Sequence, residues 1–178
     1  MRYGRLLGAF VLFALLAGCA AMGPIEEREK TYGTNPPVIG QSFAPKEARP
    51  GDTWVVYLMA EDPNGDMRRI VCTVDQPGMG TYPVSQIRIK EAERKELAGY
   101  IYLNIPARGD LDFVTLTLTV QVQDMAGHLS LPAVFPLALN PRSTREAPAQ
   151  GAFPEKDLGP VMIQLRTPFD DSGKHERD

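Results

Sequence analysis

The stretch Phe113-Val114-Thr115-Leu116-Thr117-Leu118-Thr119-Val120-Gln121-Val122-Gln123 decides the fold class. Apolar Val114, Leu116, Leu118, Val120 and Val122 alternate with polar Thr115, Thr117, Thr119, Gln121 and Gln123. In a strand, successive side chains point to opposite faces. So regular an alternation predicts an antiparallel strand with one face buried and the other wet.

The same period recurs on either side. Toward the N-terminus, residues 100–105 set Ile101, Leu103 and Ile105 against Tyr100, Tyr102 and Asn104. Residues 84–90 bring Ile87 and Ile89 together, and residues 69–74 do the same for Ile70, Cys72 and Val74. Residues 53–60 form a β-branched and aromatic run, and residues 38–43 a first strand. Toward the C-terminus, residues 129–139 form the last strand, whose Pro132 and Pro136 suit a sheet edge. Turn signals separate these runs: Pro50-Gly51-Asp52, Asp62-Pro63-Asn64-Gly65-Asp66, the Gly/Pro-rich residues 76–83, and Asp124-Met125-Ala126-Gly127-His128. The charged residues 90–96 form a helical turn or an exposed connection, and their mixed charge discourages edge-to-edge association. Seven short strands within residues 36–140 predict a single all-β domain, a seven-stranded immunoglobulin-like sandwich. No sustained 3.6-residue period supports an α/β alternative.

Composition agrees. The 178 residues include 16 glycines and 16 prolines, an excess that favours turn-rich β structure. With 19 basic against 22 acidic residues the net charge is −3, so no basic stripe invites nucleic acid. Two cysteines and two histidines exclude a zinc ribbon and a disulfide scaffold.

The N-terminus has a different character. Arg2 and Arg5 precede an apolar stretch over residues 6–17, broken only by Gly8. As helix it would span about 18 Å, short of a hydrocarbon core of about 30 Å. It reads as the apolar region of a secretory signal. Leu16-Ala17-Gly18-Cys19 follows, and it resembles the lipobox of bacterial lipoproteins. The resemblance implies that residues 1–18 are a signal peptide, recognised through Leu16, Ala17 and Gly18 and then removed. It further implies that Cys19 becomes the lipidated N-terminus, carrying two or three acyl chains as diacylglycerol and palmitate. Two or more acyl chains give stable membrane attachment where one does not. Ala20, where inner-membrane lipoproteins carry Asp, implies the outer membrane. Residues 19–35, with Glu26-Glu27-Arg28-Glu29-Lys30, then read as a flexible tether.

The run from Gly51-Asp52 through Asp62-Pro63-Asn64-Gly65-Asp66 to Val122-Gln123-Asp124-Met125-Ala126-Gly127-His128-Leu129-Ser130 resembles bacterial immunoglobulin-like, fibronectin-type-III-like and cadherin-like surface domains. The resemblance covers residues 36–140. His128 stands where those domains usually have Asn. With Cys19 expected to carry lipid, Cys72 has no partner, and its place in the alternation makes it a small apolar core residue rather than a reactive thiol. Residues 141–178 carry Pro141, Pro148, Pro154, Pro160 and Pro168 among charges and read as a largely disordered tail. Its island Val161-Met162-Ile163-Gln164-Leu165 has the character of a strand able to dock on a sheet edge of its own domain or of a partner.

Catalytic groups are not evident. His128 lies on a turn and His175 in the tail, so neither is placed to serve a nucleophile. Gly78-Met79-Gly80 lacks the helix that follows a phosphate loop. The expectation is a non-enzyme without an organic cofactor. Asp62, Asn64, Asp66 and Asp124 fall on two turns that share one end of an immunoglobulin-like sandwich. Calcium takes six to eight oxygen ligands, and these four side chains supply oxygens. The same residues also cap their own turns without any metal, so both readings stand. Tyr100 and Tyr102 share the face opposite Ile101 and Leu103, as a ligand surface or as packing at the core's edge.

Together these features predict a lipid-anchored, non-catalytic binding or structural module of the bacterial cell envelope. Its partners would be the membrane, through Cys19, and an envelope protein. The alternative is a calcium-dependent surface adhesion or carbohydrate-binding module.

Overall fold

Alternation in the sequence becomes alternation in burial. The run over residues 113–123 folds as β8 (Thr115–Asp124), in which Leu116, Leu118, Val120 and Val122 are at most 2% exposed. Phe113 lies outside the strand: its φ of 63° breaks the extended backbone, and its ring is exposed. The computed structural model describes residues 24–144, 146–167 and 170. Cys19 and its neighbours Leu16, Ala17 and Gly18 lie outside the described residues.

Among the described residues the named elements are strands apart from a short helix, α1 (Ile25–Tyr32), and two 3-10 turns. The other strands are β1 (Val38–Phe43), β2 (Glu47–Ala48), β3 (Thr53–Glu61), β4 (Met67–Gln76), β5 (Gly80–Thr81), β6 (Ser85–Arg88), β7 (Glu96–Asn104), β9 (Ala133–Leu139) and β10 (Asp157–Pro160). Among the described residues ten strands thus replace the seven expected, because the two-residue β2 and β5 show no period and β10 contains Gly159 and Pro160. One sheet has the order β1-β3-β7-β10; the other runs β2-β9-β8-β4-β5, with β6 also on β4. Neighbours are antiparallel except for β2 on β9 and β10 on β7.

The inward faces of both sheets share one core. Trp54, Val56 and Leu58 of β3, Ile101 and Leu103 of β7, Ile70, Cys72 and Val74 of β4 and the buried face of β8 all belong to it. Fully burying each such aliphatic side chain contributes about 1.5–3 kcal/mol. The buried Trp54 indole donates to the Pro45 carbonyl at 2.8 Å, so its N–H is satisfied. Cys72 is a free core cysteine as expected, and burial pushes its thiol pKa up to about 12.

Both ends of the domain depart from the sequence reading. The tether expected to be flexible contains α1. Glu26 and Glu27 in its first turn and Lys30 in its last complement the helix dipole. Gly33 ends it with a φ of 98°, donating to the Glu29 carbonyl at 2.8 Å.

The tail expected to be disordered instead closes one side of the molecule as far as Thr167. β10 pairs with β7, and Val161 N–H donates to the Tyr102 carbonyl at 2.7 Å. Val161 and Leu165 enter the core. Further along, Met162 N–H donates to Ser85 Oγ, Arg166 N–H to Tyr82 Oη, and Gln76 Nε2 to the Arg166 carbonyl. Residues 157–167 therefore bridge the edges of the two sheets. The apolar island docks on its own domain, and the strand precedes it because Gly159 and Pro160 lie against β7.

This closure needs a missing side chain. A Cβ on Gly99 of β7 would collide with the Lys156 carbonyl and press on Leu158. Gly99→Val should release residues 156–167 and cost about 3 kcal/mol from lost burial of Val161 and Leu165. Hydrogen exchange checks this: the Tyr100 and Val161 amides should lose protection while those of β8 keep theirs.

Candidate functional site

Two turns meet at the end of the sandwich beside α1. The first, residues 62–66, joins β3 to β4; the second begins at Asp124, the last residue of β8. Asp124 is held opposite Met67 by strand pairing, which brings the turns together.

Each aspartate uses one oxygen to shape the backbone. Asp62 Oδ1 accepts from the Asn64 and Gly65 amides at 2.7 and 3.1 Å. Asp66 Oδ2 accepts from the Met125 amide at 3.1 Å, which ties the turns to each other. Asp124 Oδ1 accepts from the Gly127 and His128 amides at 2.6 and 2.8 Å. The capping role read from the sequence is therefore present.

It does not exhaust these groups. Asp62, Asp66 and Asp124 are 1%, 7% and 1% exposed, and each offers a carboxylate oxygen within 4.8 Å of those of the other two. Asp62 Oδ2 and Asp66 Oδ1 are buried without a hydrogen-bond partner. A buried, unpaired carboxylate oxygen is costly. Burial, and then the charge of Asp62, push the Asp66 carboxyl above the usual carboxylate range. Oxygens bound to one calcium ion at 2.3–2.6 Å lie at most about 5 Å apart. The cluster has that spacing.

Asn64, the fourth residue expected here, does not join them. It is exposed, and its side chain faces the segment after α1, with Nδ2 donating to the Asn35 carbonyl at 3.2 Å. Gly33 packs so closely on this amide that a side chain there would clash.

His128 is a participant that the sequence did not assign. Its Nδ1 lies 2.8 Å from Asp124 Oδ2, and its Nε2 lies 2.9 Å from Glu29 Oε1 of α1. The imidazole thus links the helix to the cluster. Arg28 of the same helix lies against Gly127. No residue of α1 is buried, so polar contacts of this kind hold it.

Tyr100 and Tyr102 do lie together on the outer face of β7, with ring centroids 6.4 Å apart. Tyr57 of β3 meets Tyr100 edge-on, and Phe153 lies over Tyr57. Tyr57, Tyr100 and Tyr102 line a hollow of about 330 Å³, with Glu155 and Asp157 at its rim. All three tyrosines are half-buried.

No protein-family model matches the chain, and no curated protein matches it. Among the described residues, no helix is long and apolar enough to cross a membrane.

The hydrogen bonds to Glu29, and then to Asp124, raise the His128 pKa above its ordinary value of 6.5. A raised pKa means that the folded state favours the imidazolium. Its contribution is whole below about pH 6.5 and is lost as pH rises through the raised value. Raising the pH from about 6 to about 9 should therefore loosen α1 from the sandwich. Amide exchange across residues 28–32, corrected for intrinsic rates, should accelerate; Glu29→Gln should remove most of that pH dependence.

Proposed function

We propose that this chain is a lipid-anchored, non-catalytic module of the bacterial cell envelope, in which calcium joins two turns at the tethered end of an immunoglobulin-like sandwich. The lipid is carried by Cys19, after removal of residues 1–18, and Ala20 directs the protein to the outer membrane. The immunoglobulin-like reading draws on the order β1-β3-β7 in one sheet and β9-β8-β4 in the other. The observation that carries the proposal is the buried Asp62–Asp66–Asp124 cluster with two unpartnered oxygens. A divalent cation would offset most of its negative charge and take up those oxygens. Calcium suits an all-oxygen donor set, with carbonyls and water completing the coordination.

The position of the cluster gives the ion a function. It lies beside α1, where the tether enters the domain, so binding would stiffen the joint between anchor and module. An envelope protein partner would then meet a module held at a fixed angle to the membrane.

Calcium at about 100 times its Kd should stabilise the full-length protein in detergent by about 2.7 kcal/mol. That corresponds to a rise of roughly 5–15 °C in Tm, reversed by chelator. Asp66→Asn separates cation binding from capping. It keeps an acceptor for the Met125 amide but removes one charge. It should raise the calcium-free Tm and abolish the response to calcium. A chelator-insensitive Tm, with Asp66→Asn merely destabilising, would contradict the proposal. Acyl mass on Cys19, read by mass spectrometry of the membrane-extracted protein, tests the anchor separately.

The tyrosine hollow favours a second reading, a calcium-dependent adhesion or carbohydrate-binding module. Sugar rings stack on exposed aromatic faces, and Glu155 and Asp157 offer acceptors beside them. On a glycan array, Tyr100→Ala and Tyr102→Ala should each lower binding at least tenfold; unchanged binding removes this reading.

A further inference from the structure

Next to the acidic cluster, and beyond Met125, lies a cavity of opposite charge. It measures about 410 Å³ and is lined by Arg68, Arg69, Gln86, Arg88, Arg94 and Met125. We propose that it binds a phosphate group.

Four arginines line it for structural reasons. Arg68 and Arg69 are consecutive in β4, and a regular strand would send them to opposite faces. The pairing of β4 with β8 shifts register between Met67 and Arg69, and such an irregularity re-aims side chains. Both arginines consequently line the same cavity. Arg88 stands directly opposite Arg69 in the β4–β6 pairing. Arg94 follows the 3-10 turn at Glu91–Glu93, and its carbonyl accepts from the Met67 amide at 3.0 Å.

The arrangement is costly unless it is neutralised. Like charges directly opposite on neighbouring strands destabilise a sheet. Among the described residues, none of the four arginines has a carboxylate within 4.0 Å, although the chain has more acidic than basic residues. Arg94 Nε is buried without a partner. Arg69 is also held in place: its Nε donates to Gln123 Oε1 at 2.7 Å and its Nη1 to Gln86 Oε1 at 2.6 Å. Neutral amides orient this guanidinium without cancelling its charge.

A tetrahedral oxyanion answers this geometry. Guanidinium forks match phosphate oxygens, and one phosphate accepts from several forks at once. A carboxylate, with only two oxygens, would engage fewer of the four arginines. Extended nucleic acid is disfavoured, because the positive charge is a single spot on an acidic chain. The phosphate can belong to a free molecule or to a lipid headgroup. The site depends neither on the calcium reading nor on Cys19.

The test uses the full-length protein in a neutral detergent, titrated calorimetrically with inorganic phosphate and, separately, with dihexanoyl-phosphatidylglycerol. Dihexanoyl-phosphatidylcholine serves as the zwitterionic control. Saturable binding that weakens with salt is expected for at least one of the two anionic probes. Arg88→Gln and Arg69→Gln should each weaken it at least tenfold. Arg88 is exposed and its side chain makes no hydrogen bond within the described residues, so Arg88→Gln keeps the test valid if Arg69→Gln unfolds the protein. Binding of inorganic phosphate identifies a free phosphorylated ligand; binding of phosphatidylglycerol alone identifies a headgroup. No saturable binding of either probe, or binding that Arg88→Gln leaves unchanged, overturns the proposal.

Discussion

Three carboxylates confined within one small buried volume constrain everything at the α1 end of this sandwich. Their mutual repulsion and the loss of water oppose folding there. The backbone offsets part of this by giving each aspartate at least one amide donor, and His128 engages Asp124 further. Asp62 Oδ2 and Asp66 Oδ1 remain without protein donors. A turn that needed only caps would not bury these two oxygens without partners. The cost is the kind tolerated where a ligand removes it.

Other features of the fold follow the same geometry. The β4–β8 pairing sets Asp124 against Met67 and, one step along, the register shift that gathers Arg68 and Arg69. Acidic and basic groups are thereby segregated on either side of Met125 rather than paired. Had they been interleaved, surface salt bridges would have neutralised both at little gain in stability. At the other side of the molecule, residues 157–167 do a different job. They cover the margin between β7 and β6, burying Val161 and Leu165 where the sandwich would otherwise expose its core. The Arg108 guanidinium fastens the end of this segment by bridging Asp110 at 2.6 Å and Asp170 at 3.1 Å, and holds both carboxyls below the usual range.

The sequence was most legible where one face of a strand is buried. The long strands β3, β4, β7 and β8 alternate because core and solvent alternate around them. Two-residue strands such as β2 and β5 have no period to read. β10 contains Gly159 and Pro160, residues that argue against a strand until the close approach at Gly99 is known. α1 escaped notice because none of its residues is buried, so its sequence has the polarity of a solvated spacer. At the candidate site, turn chemistry singled out Asp62, Asn64, Asp66 and Asp124; the fold brings the three aspartates together, while the Asn64 side chain bonds to Asn35. Glu29 could not be tied to His128 by spacing, since 99 residues separate them. Convergence of the arginines depends on an irregular register that no periodic pattern announces.

The most direct test of the account is the number of calcium ions bound at equilibrium, measured by dialysis of the full-length protein against radiolabelled calcium. One ion per chain, absent from Asp66→Asn, is the result predicted. No bound ion at millimolar calcium, the weak end of protein calcium sites, would contradict it and leave the three aspartates as turn caps alone.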